Sequence, residues 1–326
     1  MNSKFEIHNS EFQDLPVLVT GGAGFIGSHL VDVLVAREAR VRVLDNLSTG
    51  KRENLSKVLS SIEFLEGDIR DLEICRRACS GVRTLFHEAA LGSVPRSMKD
   101  PATTFAVNAG GTANVFSAAR DAGVGSLVFA SSSSVYGDSD RLPKVEGEEG
   151  KPLSPYALSK VMNEELAELC ARVFSMRIVG LRYFNIYGPR QAPEGPYAAV
   201  VPRFVQAATK GQPLAIYGDG EQRRDFTFVS DAVEANLKAA ASSAEISGRS
   251  YNIGFGGGVS ILELAEQIGE ACGAPFSLQH EPPRAGDVRA SKADVSRAER
   301  DLGFRASVSI EEGLRRTVES YDRVER

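Results

Sequence analysis

The segment from Val17 to Gly27, with the sequence VLVTGGAGFIG, constrains the fold of this chain more than any other. An apolar run turns through three glycines spaced three apart, Gly21, Gly24 and Gly27, into the amphipathic segment Ser28–Arg37. This pattern predicts a strand, a tight turn and a helix. Glycines allow the backbone to approach a pyrophosphate, and the free N–H groups and positive dipole end of the helix hold its charge. An ordinary glycine-rich turn shows the same pattern, so the glycines alone do not identify a nucleotide site.

An acidic residue at the end of the next predicted strand adds a second signal. Val41–Leu44 is followed by Asp45 and Asn46, about 20 residues beyond the glycines, as in dinucleotide-binding folds. A carboxylate there accepts hydrogen bonds from both ribose hydroxyls and repels a 2′-phosphate. Neither Arg42 nor Lys51 replaces the acid at the strand tip, so the sequence predicts NAD rather than NADP as the cofactor.

Composition and charge exclude several classes of protein. The chain has 326 residues, is 42% hydrophobic and carries a net charge of −5, which suits one large α/β domain or two smaller ones and argues against a nucleic-acid surface. Residues 1–14 lack the apolar core of a signal peptide, and no run approaches the ~20 apolar residues of a spanning helix. We therefore expect a cytoplasmic protein that binds neither nucleic acid nor membrane.

The four cysteines and four histidines show no metal-binding pattern. Cys75 and Cys79 are the closest cysteines, four apart on a predicted helix, and the chain has no Cys-x-x-Cys pair. This spacing suits buried free thiols in a reducing compartment. The histidines are scattered without ligand spacing. We predict no metal site and no disulfide.

Strand-like runs alternate with helical periodicity through the first part of the chain. They lie at Ile62–Leu65, Thr84–His87, Ser126–Ala130 and Arg177–Leu181. Such alternation predicts an α/β protein with a Rossmann-like, doubly wound parallel sheet. Polar segments follow several of these strands, at the edge where open α/β sheets bind ligands.

The sequence changes in character at Tyr187, where glycine and proline turns become frequent. We predict a smaller α/β domain for substrate in this part of the chain. The cofactor domain comprises residues 1–186 and 225–255, and the substrate domain comprises residues 187–224 and 256–326.

Tyr156 and Lys160 are predicted to lie one turn apart at the start of a helix, within SPYALSK. An ammonium beside a phenol favours the phenolate, as does the positive charge of an oxidised nicotinamide. Tyr156 can then accept a proton from a substrate hydroxyl. A chance Tyr-x-x-x-Lys on a solvated helix is the plainer alternative.

A serine cluster, Ser131–Ser134, follows the predicted strand that ends at Ala130. Its hydroxyls can share the proton that Tyr156 transfers. A serine-rich loop is otherwise only a flexible turn, so the cluster has meaning through its combination with the other motifs.

Glycine turn, acidic strand end, serine cluster and Tyr-x-x-x-Lys, in this order, resemble the extended short-chain dehydrogenase/reductase family over nearly the whole chain. Within that family the chain is similar to nucleotide-sugar epimerases, and most of all to the UDP-N-acetylglucosamine 4-epimerase branch. Three long runs carry this likeness: LGSVPRS at 91–97, LRYFNIYGP at 181–189 and GPYAAVVP at 195–202.

The resemblance implies roles for particular residues. Tyr156 is the base, and Lys160 tunes it and holds the nicotinamide ribose. Ser132 or Ser133 hydrogen-bonds the reacting hydroxyl. The implied NAD-binding residues are Gly21, Gly24, Phe25, Ile26, Gly27, Asp45, Asn46, Ser48, Gly50, Asp68, Ile69, Ala89, Ala90, Tyr156, Lys160 and Tyr183. The implied UDP-sugar-binding residues are Gly92, Ser93, Ser132, Tyr156, Asn185, Ala199, Val200, Tyr217, Arg224, Arg284, Asp287 and Ser291.

Two of the implied substrate residues, Arg224 and Arg284, suit a diphosphate because a guanidinium is a planar fork of donors. Both lie in turn-rich segments of the second domain, from which they can close over a ligand. The plainer alternative is that they form surface ion pairs with the neighbouring Asp225 and Asp287.

The residues after the serine strand narrow the implied reaction. Family dehydratases normally carry an Asp-Glu pair where this chain has Ser133 and Ser134, and uronate decarboxylases usually carry a glutamate at Ser134. The resemblance therefore implies reversible C4 epimerisation of a UDP-hexose through a 4-keto intermediate, with NAD⁺ bound throughout. Ser291 is small at a position that is large in enzymes restricted to plain hexoses. It implies the UDP-N-acetylglucosamine/UDP-N-acetylgalactosamine pair, with UDP-glucose/UDP-galactose also open.

Two alternatives stay open. A UDP-uronic or N-acetyl-hexosaminuronic acid is the nearest rival substrate for a 4-epimerase. A non-catalytic NAD-binding regulator could be built on the same fold.

The family also implies a homodimer, formed through helices predicted at Thr103–Ala122 and Pro155–Val173. Ala113, Phe116 and Ala119 fit a dimer face and a core-facing side of the first helix equally well. The chain departs from the family at residue 88, a glutamate where an apolar residue is common.

Overall fold

A seven-stranded parallel sheet forms the centre of the protein. The computed structural model describes residues 11–195, 198–273, 276–283 and 289–322. The strands within these ranges are β1 (Pro16–Thr20), β2 (Arg40–Asp45), β3 (Glu63–Glu66), β4 (Thr84–His87), β5 (Ser126–Ser132), β6 (Ile178–Tyr183), β7 (Ile186–Tyr187), β8 (Leu214–Tyr217), β9 (Arg223–Arg224), β10 (Thr227–Phe228), β11 (Ser250–Ile253), β12 (Val259–Ser260), β13 (Leu278–Glu281) and β14 (Ala290–Ser291). The α-helices are α1 (Phe25–Ala36), α2 (Leu72–Cys79), α3 (Val94–Lys99), α4 (Pro101–Phe105), α5 (Thr112–Asp121), α6 (Pro155–Phe174), α7 (Val200–Thr209), α8 (Val229–Ala241), α9 (Ile261–Cys272), α10 (Ser296–Leu302) and α11 (Ile310–Asp322).

The strand order of the large sheet is β11-β6-β5-β4-β1-β2-β3, and every neighbouring pair is parallel. The chain starts in the middle, winds outward through β2 and β3, and returns through β4 to build the other half. This is the doubly wound Rossmann order, so the predicted fold class is confirmed. β4 and β6 are buried along their whole length, as expected for parallel strands with both faces covered by helices.

The strand before the serine cluster is longer than predicted. β5 and β6 stay paired as far as Ser132, which lies opposite Tyr183, so both strands extend beyond their predicted ends at Ala130 and Leu181. The first serines of the cluster are therefore held by a hydrogen-bonded ladder and not in a flexible turn.

The helix predicted at Thr103–Ala122 is interrupted by a π-helical turn at Ala106–Gly111, between α4 and α5. Asn108 in this turn accepts a hydrogen bond from the backbone N–H of Leu91 at 2.8 Å and donates one to Ser159 Oγ at 3.2 Å. The turn thereby ties the loop after β4 to α6. Turns of this kind are frequent at functional sites.

Helix α5 presents its apolar side to the large sheet. Phe116 and Ala119 are both buried, and the Phe116 ring packs edge-on against Phe129 with ring centres 5.5 Å apart. These two side chains belong to the core and not to a dimer face.

A second hydrophobic core lies among α7, α9 and α11, and its buried residues include Val205, Leu264 and Leu314. Ser260 begins α9 with a capping box, in which it accepts from Glu263 N and its own N–H donates to the Glu263 carboxylate. This core supports the small parallel pair β8 and β13.

The segment around α10 packs differently from the predicted division, which placed all of 256–326 in the smaller domain. Ala298, Leu302 and Phe304 are buried in the core of the large sheet, together with Tyr251 of β11. The chain thus crosses back to the cofactor side before α11, a long-range contact that local sequence patterns do not reveal.

His87 at the end of β4 has a structural role. It is buried between Thr20 and Thr112, with hydrogen-bond distances of 2.7 and 2.9 Å, and burial lowers its pKa to about 3. In the described ranges, no group of three or more His, Cys, Asp or Glu side chains is arranged to hold a metal ion. None of the helices seen in those ranges has the length and apolarity needed to cross a bilayer.

Candidate active site

Gly21 and Gly27, at the two ends of the turn between β1 and α1, leave no room for a side chain. A Cβ on Gly21, whose φ is +70°, would lie 2.6 Å from Ala89 N, and a Cβ on Gly27 would lie 2.2 Å from Gly21 O. Helix α1 begins after Gly24, and within the described chain its first turn has neither a capping side chain nor an acidic residue. The N–H groups of that turn therefore suit an anion.

Asp45 lies beside this turn at the end of β2. Its carboxylate accepts hydrogen bonds from Ala23 N at 2.9 Å and from Leu47 N at 2.8 Å. Burial raises the pKa of Asp45, and these two hydrogen bonds act in the opposite direction. Asn46 donates to Asp68 at 2.8 Å, which links the loops after β2 and β3. Polar groups are thus fixed at the sheet edge where a ribose is expected.

A cavity of about 520 Å³ runs along the carboxyl edge of the sheet. The predicted site residues in its wall are Gly21, Gly24, Phe25, Ile26, Gly27, Asp45, Asn46, Ser48, Asp68, Ile69, Ala89, Ala90, Gly92, Ser132, Ser133, Tyr156, Lys160, Tyr183 and Asn185. Gly50 and Ser93 lie outside this wall, and the predicted substrate residues from Ala199 onward are described below. Gly50 packs behind the glycine turn, where a Cβ would lie 2.8 Å from Ala23 C, and Ser93 caps α3 by accepting from Arg96 N at 3.2 Å.

The cavity wall also contains residues that were not predicted, among them Glu88, Val107 and Gln191. Glu88 directly follows β4, so the rule that ligands bind at strand ends could have identified it. Val107 lies in the π-helical turn, which the sequence pattern does not distinguish from an α-helix. Gln191 lies in a loop without a recognisable motif.

Tyr156 and Lys160 lie on the first turns of α6. Ser154 caps this helix by accepting from Ala157 N at 3.1 Å, and a proline occupies the first helical position. Lys160 Nζ lies 6.0 Å from the centre of the Tyr156 ring and donates to Ala130 O at 2.7 Å. Both side chains therefore face the strand that carries the serines.

Burial has the largest effect on the acidity of this pair. It raises the pKa of the Tyr156 phenol, which a hydrogen bond with Ser132 lowers. Burial also lowers the pKa of Lys160 to about 8, against the attraction of Glu88 and Glu164. Both candidate serines line the cavity, and Ser132 is the one that lowers the pKa of the phenol. The positive charge of a bound nicotinamide would act against burial and favour the phenolate.

A buried ion pair holds α6 against β6. Arg182, which is 6% exposed, donates from Nε and Nη2 to the Glu164 carboxylate at 2.9 and 2.7 Å. Ser131 donates to the same carboxylate, and Arg182 also donates to Glu149. Because Glu164 lies one turn after Lys160, this pair positions the catalytic helix relative to the serine strand.

A second cavity, of about 140 Å³, adjoins the first at Asn185, which lies in both walls. Asn185 has a φ of +37°, a conformation that asparagine tolerates, and donates to Asp225 O at 2.9 Å. Predicted residues in the second wall are Val200, Tyr217 and Arg224, and unpredicted ones include Arg203 and Gln222. The Arg203 guanidinium lies 5.9 Å from the centre of the Tyr217 ring.

Asp225 does not act as the surface ion-pair partner considered for Arg224. Its buried carboxylate accepts hydrogen bonds from Phe255 N, Gly256 N and Ala293 N at 2.9, 3.0 and 3.0 Å. Three backbone segments are therefore joined directly behind the second cavity.

The other predicted substrate residues lie around or beyond this cavity. Ser291 is outside both cavity walls, on β14, where it pairs with Arg224 of β9. Ala199 immediately precedes α7 and is exposed. Arg284 and Asp287 lie outside the described residues.

The glycine turn, the acid at β2 and the Tyr156, Ser132 and Lys160 group share one cavity, an arrangement that suits a nicotinamide dinucleotide. The NAD dependent epimerase/dehydratase family matches residues 17–254. The chain belongs to this family. NAD is its cofactor, and the start of α1, where Gly24 leaves the N–H groups of the first turn without a capping side chain among the described residues, fits the pyrophosphate of a dinucleotide.

Full-length relatives agree on the family and differ in substrate. The UDP-glucose 4-epimerase of Mycolicibacterium smegmatis is 40% identical over 308 residues, covering 93% of this chain and 97% of that protein. The UDP-N-acetyl-alpha-D-glucosaminuronate decarboxylase of Bacillus cytotoxicus is 36% identical over 322 residues, covering 94% and 98%. A solved UDP-N-acetylglucosamine 4-epimerase from Methanobrevibacter ruminantium M1, in complex with UDP-N-acetylmuramic acid, has a TM-score of 0.91 at 35% identity, covering 96% and 99%.

The substitution Gly27→Ala is expected to remove NAD from the purified protein. The new Cβ meets the backbone at Gly21 O, so either the turn or the start of α1 must move. We expect at least about a tenfold loss of retained NAD, equivalent to about 1.4 kcal/mol of binding, measured as nucleotide released on denaturation. Gly258→Ala, where the Cβ meets open space, is the matched control. Full retention of NAD by the Gly27 variant would contradict this placement of the cofactor.

Proposed function

We propose that this protein interconverts UDP-N-acetylglucosamine and UDP-N-acetylgalactosamine by epimerisation at C4, and that it also accepts UDP-glucose and UDP-galactose. The family and the full-length relatives support the coarser description, an NAD-dependent UDP-sugar 4-epimerase. The observation that carries the proposal is that Tyr156, Ser132 and Lys160 lie in the wall of one cavity, which adjoins, at Asn185, a second cavity lined by Arg224.

We propose that NAD lies along the sheet edge in the larger cavity. The glycine turn and the start of α1 hold the pyrophosphate, and Asp45 accepts hydrogen bonds from the adenosine ribose. Asp68 and Ile69 flank the adenine, while Lys160 holds the nicotinamide ribose. NAD, when bound, supplies the hydride acceptor and returns the same hydride to the sugar.

In this proposal Tyr156 takes the proton of the sugar 4-hydroxyl. Ser132 hydrogen-bonds both the phenol and the reacting oxygen, and the Lys160 ammonium stabilises the phenolate. Loss of the proton and of the C4 hydride leaves a 4-keto sugar. When the hydride returns to the opposite face, Tyr156 gives back the proton, so the reaction has no net redox change.

The second cavity is proposed to hold UDP throughout. Arg224 supplies a planar fork for the diphosphate, and Arg203 adds a second positive charge beside Tyr217. While UDP stays bound, the 4-keto sugar can rotate in the larger cavity and present its opposite face to the cofactor. Asn185 lies in both cavity walls, at the place where we propose that the sugar connects to UDP.

The serine cluster at the end of β5 favours epimerisation over the activity of the decarboxylase relative. Ser131–Ser134 offers four hydroxyls and no carboxyl, and the family decarboxylases resembled in sequence usually carry a glutamate at Ser134. The residue expected for a second acid–base step is therefore absent from this serine cluster.

The substitution Tyr156→Phe is expected to lower turnover of UDP-N-acetylglucosamine about 10²–10⁴-fold, the usual contribution of a positioned base. Bound NAD should be unchanged, because the ring stays and only the phenol oxygen is lost. Turnover is measured by proton NMR of the sugar. Tyr251→Phe, which alters a phenol that bonds to Asp301 on the other side of the sheet, is the control. Undiminished turnover in the Tyr156 variant would sink the assignment of the base.

The substitution Ser291→Tyr is expected to abolish turnover of UDP-N-acetylglucosamine and to spare UDP-glucose. Ser291 lies outside both cavity walls but pairs with Arg224 on the adjacent strand, so we propose that a tyrosine there reaches the space needed by the N-acetyl group. The two substrates are compared in kcat/KM. Lys292→Tyr places the same tyrosine at an exposed neighbour and should affect neither substrate. Equal loss of both substrates in the Ser291 variant would refute its role in specificity.

We propose that the enzyme is a homodimer that uses an apolar stripe on α6. Leu158, Met162, Leu169 and Val173 lie on one face of this helix and are 41–57% exposed. Packing of two copies of α6 against each other would bury the stripe in a helix bundle. This stripe replaces Phe116 and Ala119 as the proposed dimer contact, because those two side chains are buried in the core.

The double variant Met162→Glu/Leu169→Glu is expected to be monomeric, because two carboxylates would be buried without partners at the centre of that interface. Light scattering after gel filtration should give twice the 35.0 kDa chain mass for the unmodified protein and the single chain mass for the variant. Lys57→Glu, which changes charge at an exposed site elsewhere, is the control. A monomeric unmodified protein would overturn the dimer.

A further inference from the structure

Glu88 is the carboxyl group of the larger cavity that the proposed mechanism does not use. It directly follows β4, is partly exposed, and lies in the same wall as Tyr156, Lys160 and Tyr183. Its Oε1 accepts a hydrogen bond from the Tyr183 hydroxyl at 2.8 Å. Asp45 and Asp68 also line this cavity but serve its other end.

The direction of the hydrogen bonds around Glu88 is set by its neighbours. Asn236 Nδ2 donates to Ala232 O at 3.0 Å and to the Tyr183 oxygen at 2.7 Å. Because the amide nitrogen has to face the Ala232 carbonyl, it also has to donate to Tyr183, and the Tyr183 proton is directed to Glu88. This chain of donors ends on the carboxyl group and favours its ionised form.

The charges that face Glu88 come from two elements. Lys160 of α6 attracts its carboxylate, and Tyr183 of β6 is the titratable group bonded to it. Burial raises the pKa of Glu88 to about 7, while the Tyr183 hydrogen bond and Lys160 act in the opposite direction. Glu164, the other acid near Lys160, is already engaged by Arg182. Glu88 is thus the carboxylate in the cavity wall that faces the catalytic lysine.

The reaction geometry requires the hydride acceptor to lie near this group. The base and the nicotinamide must reach the oxygen and the hydrogen of the same sugar carbon, so the nicotinamide has to lie beside Tyr156. During the reaction the C4–H bond breaks with its electron pair moving to the ring, which loses its positive charge, and the hydroxyl proton moves to Tyr156. A nearby carboxylate stabilises the charged ring and not the neutral one.

We propose that Glu88 is a positioning residue that sets the charge balance of the cavity: its carboxylate, held by Tyr183, keeps Lys160 in the ammonium form and favours the oxidised cofactor over the reduced one. This inference rests on the proposed NAD-dependent epimerase function. It gives the enzyme a means of returning the hydride to the sugar, because the reduced ring is the less favoured state beside a carboxylate.

The test is the midpoint potential of the NAD bound to the intact enzyme, measured by equilibration with a redox dye and the absorbance of the reduced nicotinamide. Glu88→Gln keeps an acceptor for Tyr183 and removes the charge, so reduction becomes easier. We expect the equilibrium to shift toward the reduced cofactor about tenfold, which for a two-electron couple is about 30 mV. Glu88→Met repeats the measurement with an apolar side chain and should shift the potential in the same direction. Glu63→Gln removes a charge from an exposed acid on β3 and should leave the potential unchanged.

The pH dependence adds a readout that a merely structural role would not move. The gap between the two proteins should be full about one unit above the pKa of about 7. It should close about two units below that value, because a protonated Glu88 exerts no charge and the bound oxidised ring lowers the Glu88 pKa by the same tenfold coupling. Equal potentials in the unmodified and Glu88→Gln proteins, or a gap that ignores pH, would overturn the inference. If the Glu88→Gln substitution shifts the potential but the unmodified protein epimerises no UDP-sugar, the inference about Glu88 is supported and the proposed function is refuted.

Discussion

The catalytic cavity depends on the buried ion pair between Arg182 and Glu164. It joins β6 to α6, and through Ser131 it also reaches β5. Burying two charges has a large desolvation cost, so such a pair adds little net stability, while removal of one partner typically costs about 3–5 kcal/mol. Its value here is positional. Lys160 lies one turn before Glu164 and Ser132 follows Ser131, so both residues that we propose assist Tyr156 are near neighbours of the pair.

Two cavities with different demands meet at Asn185. The larger one suits a cofactor, because it combines a tightly packed glycine turn with the strand-end carboxyl groups of Asp45 and Asp68. The smaller one, which we propose holds UDP while the sugar turns, is lined by arginine and aromatic side chains from β8, β9 and α7. Asp225 joins three backbone segments behind it, which keeps β9 and the residues after β14 in register. With separate cavities for the cofactor and for UDP, the proposed site can hold both nucleotides while the sugar rotates.

Local patterns predicted the parts of this structure that depend on neighbours in sequence. The spacing of Gly21 and Gly27, the acid at Asp45, and the i, i+4 placement of Tyr156 and Lys160 each follow from the geometry of one turn or one helix. The remaining features depend on partners distant in the chain. The π-helical turn needs Asn108 to reach Leu91, α10 returns to the large sheet through Phe304, and Glu88 meets Tyr183 only after folding. A departure from the family pattern marked Glu88 in the sequence, but its partners could be found only in three dimensions.

The most direct test is proton NMR of UDP-N-acetylglucosamine incubated with the purified protein and no added cofactor, with UDP-glucose and UDP-glucuronate in parallel. Our account predicts that the galacto epimer of the acetamido sugar appears and approaches equilibrium, which requires both retained NAD and a base that acts on the 4-hydroxyl. Turnover of the uronate alone would move the substrate to a UDP-uronic acid. No turnover of any of the three sugars, with NAD still bound, would contradict the assignment as an epimerase.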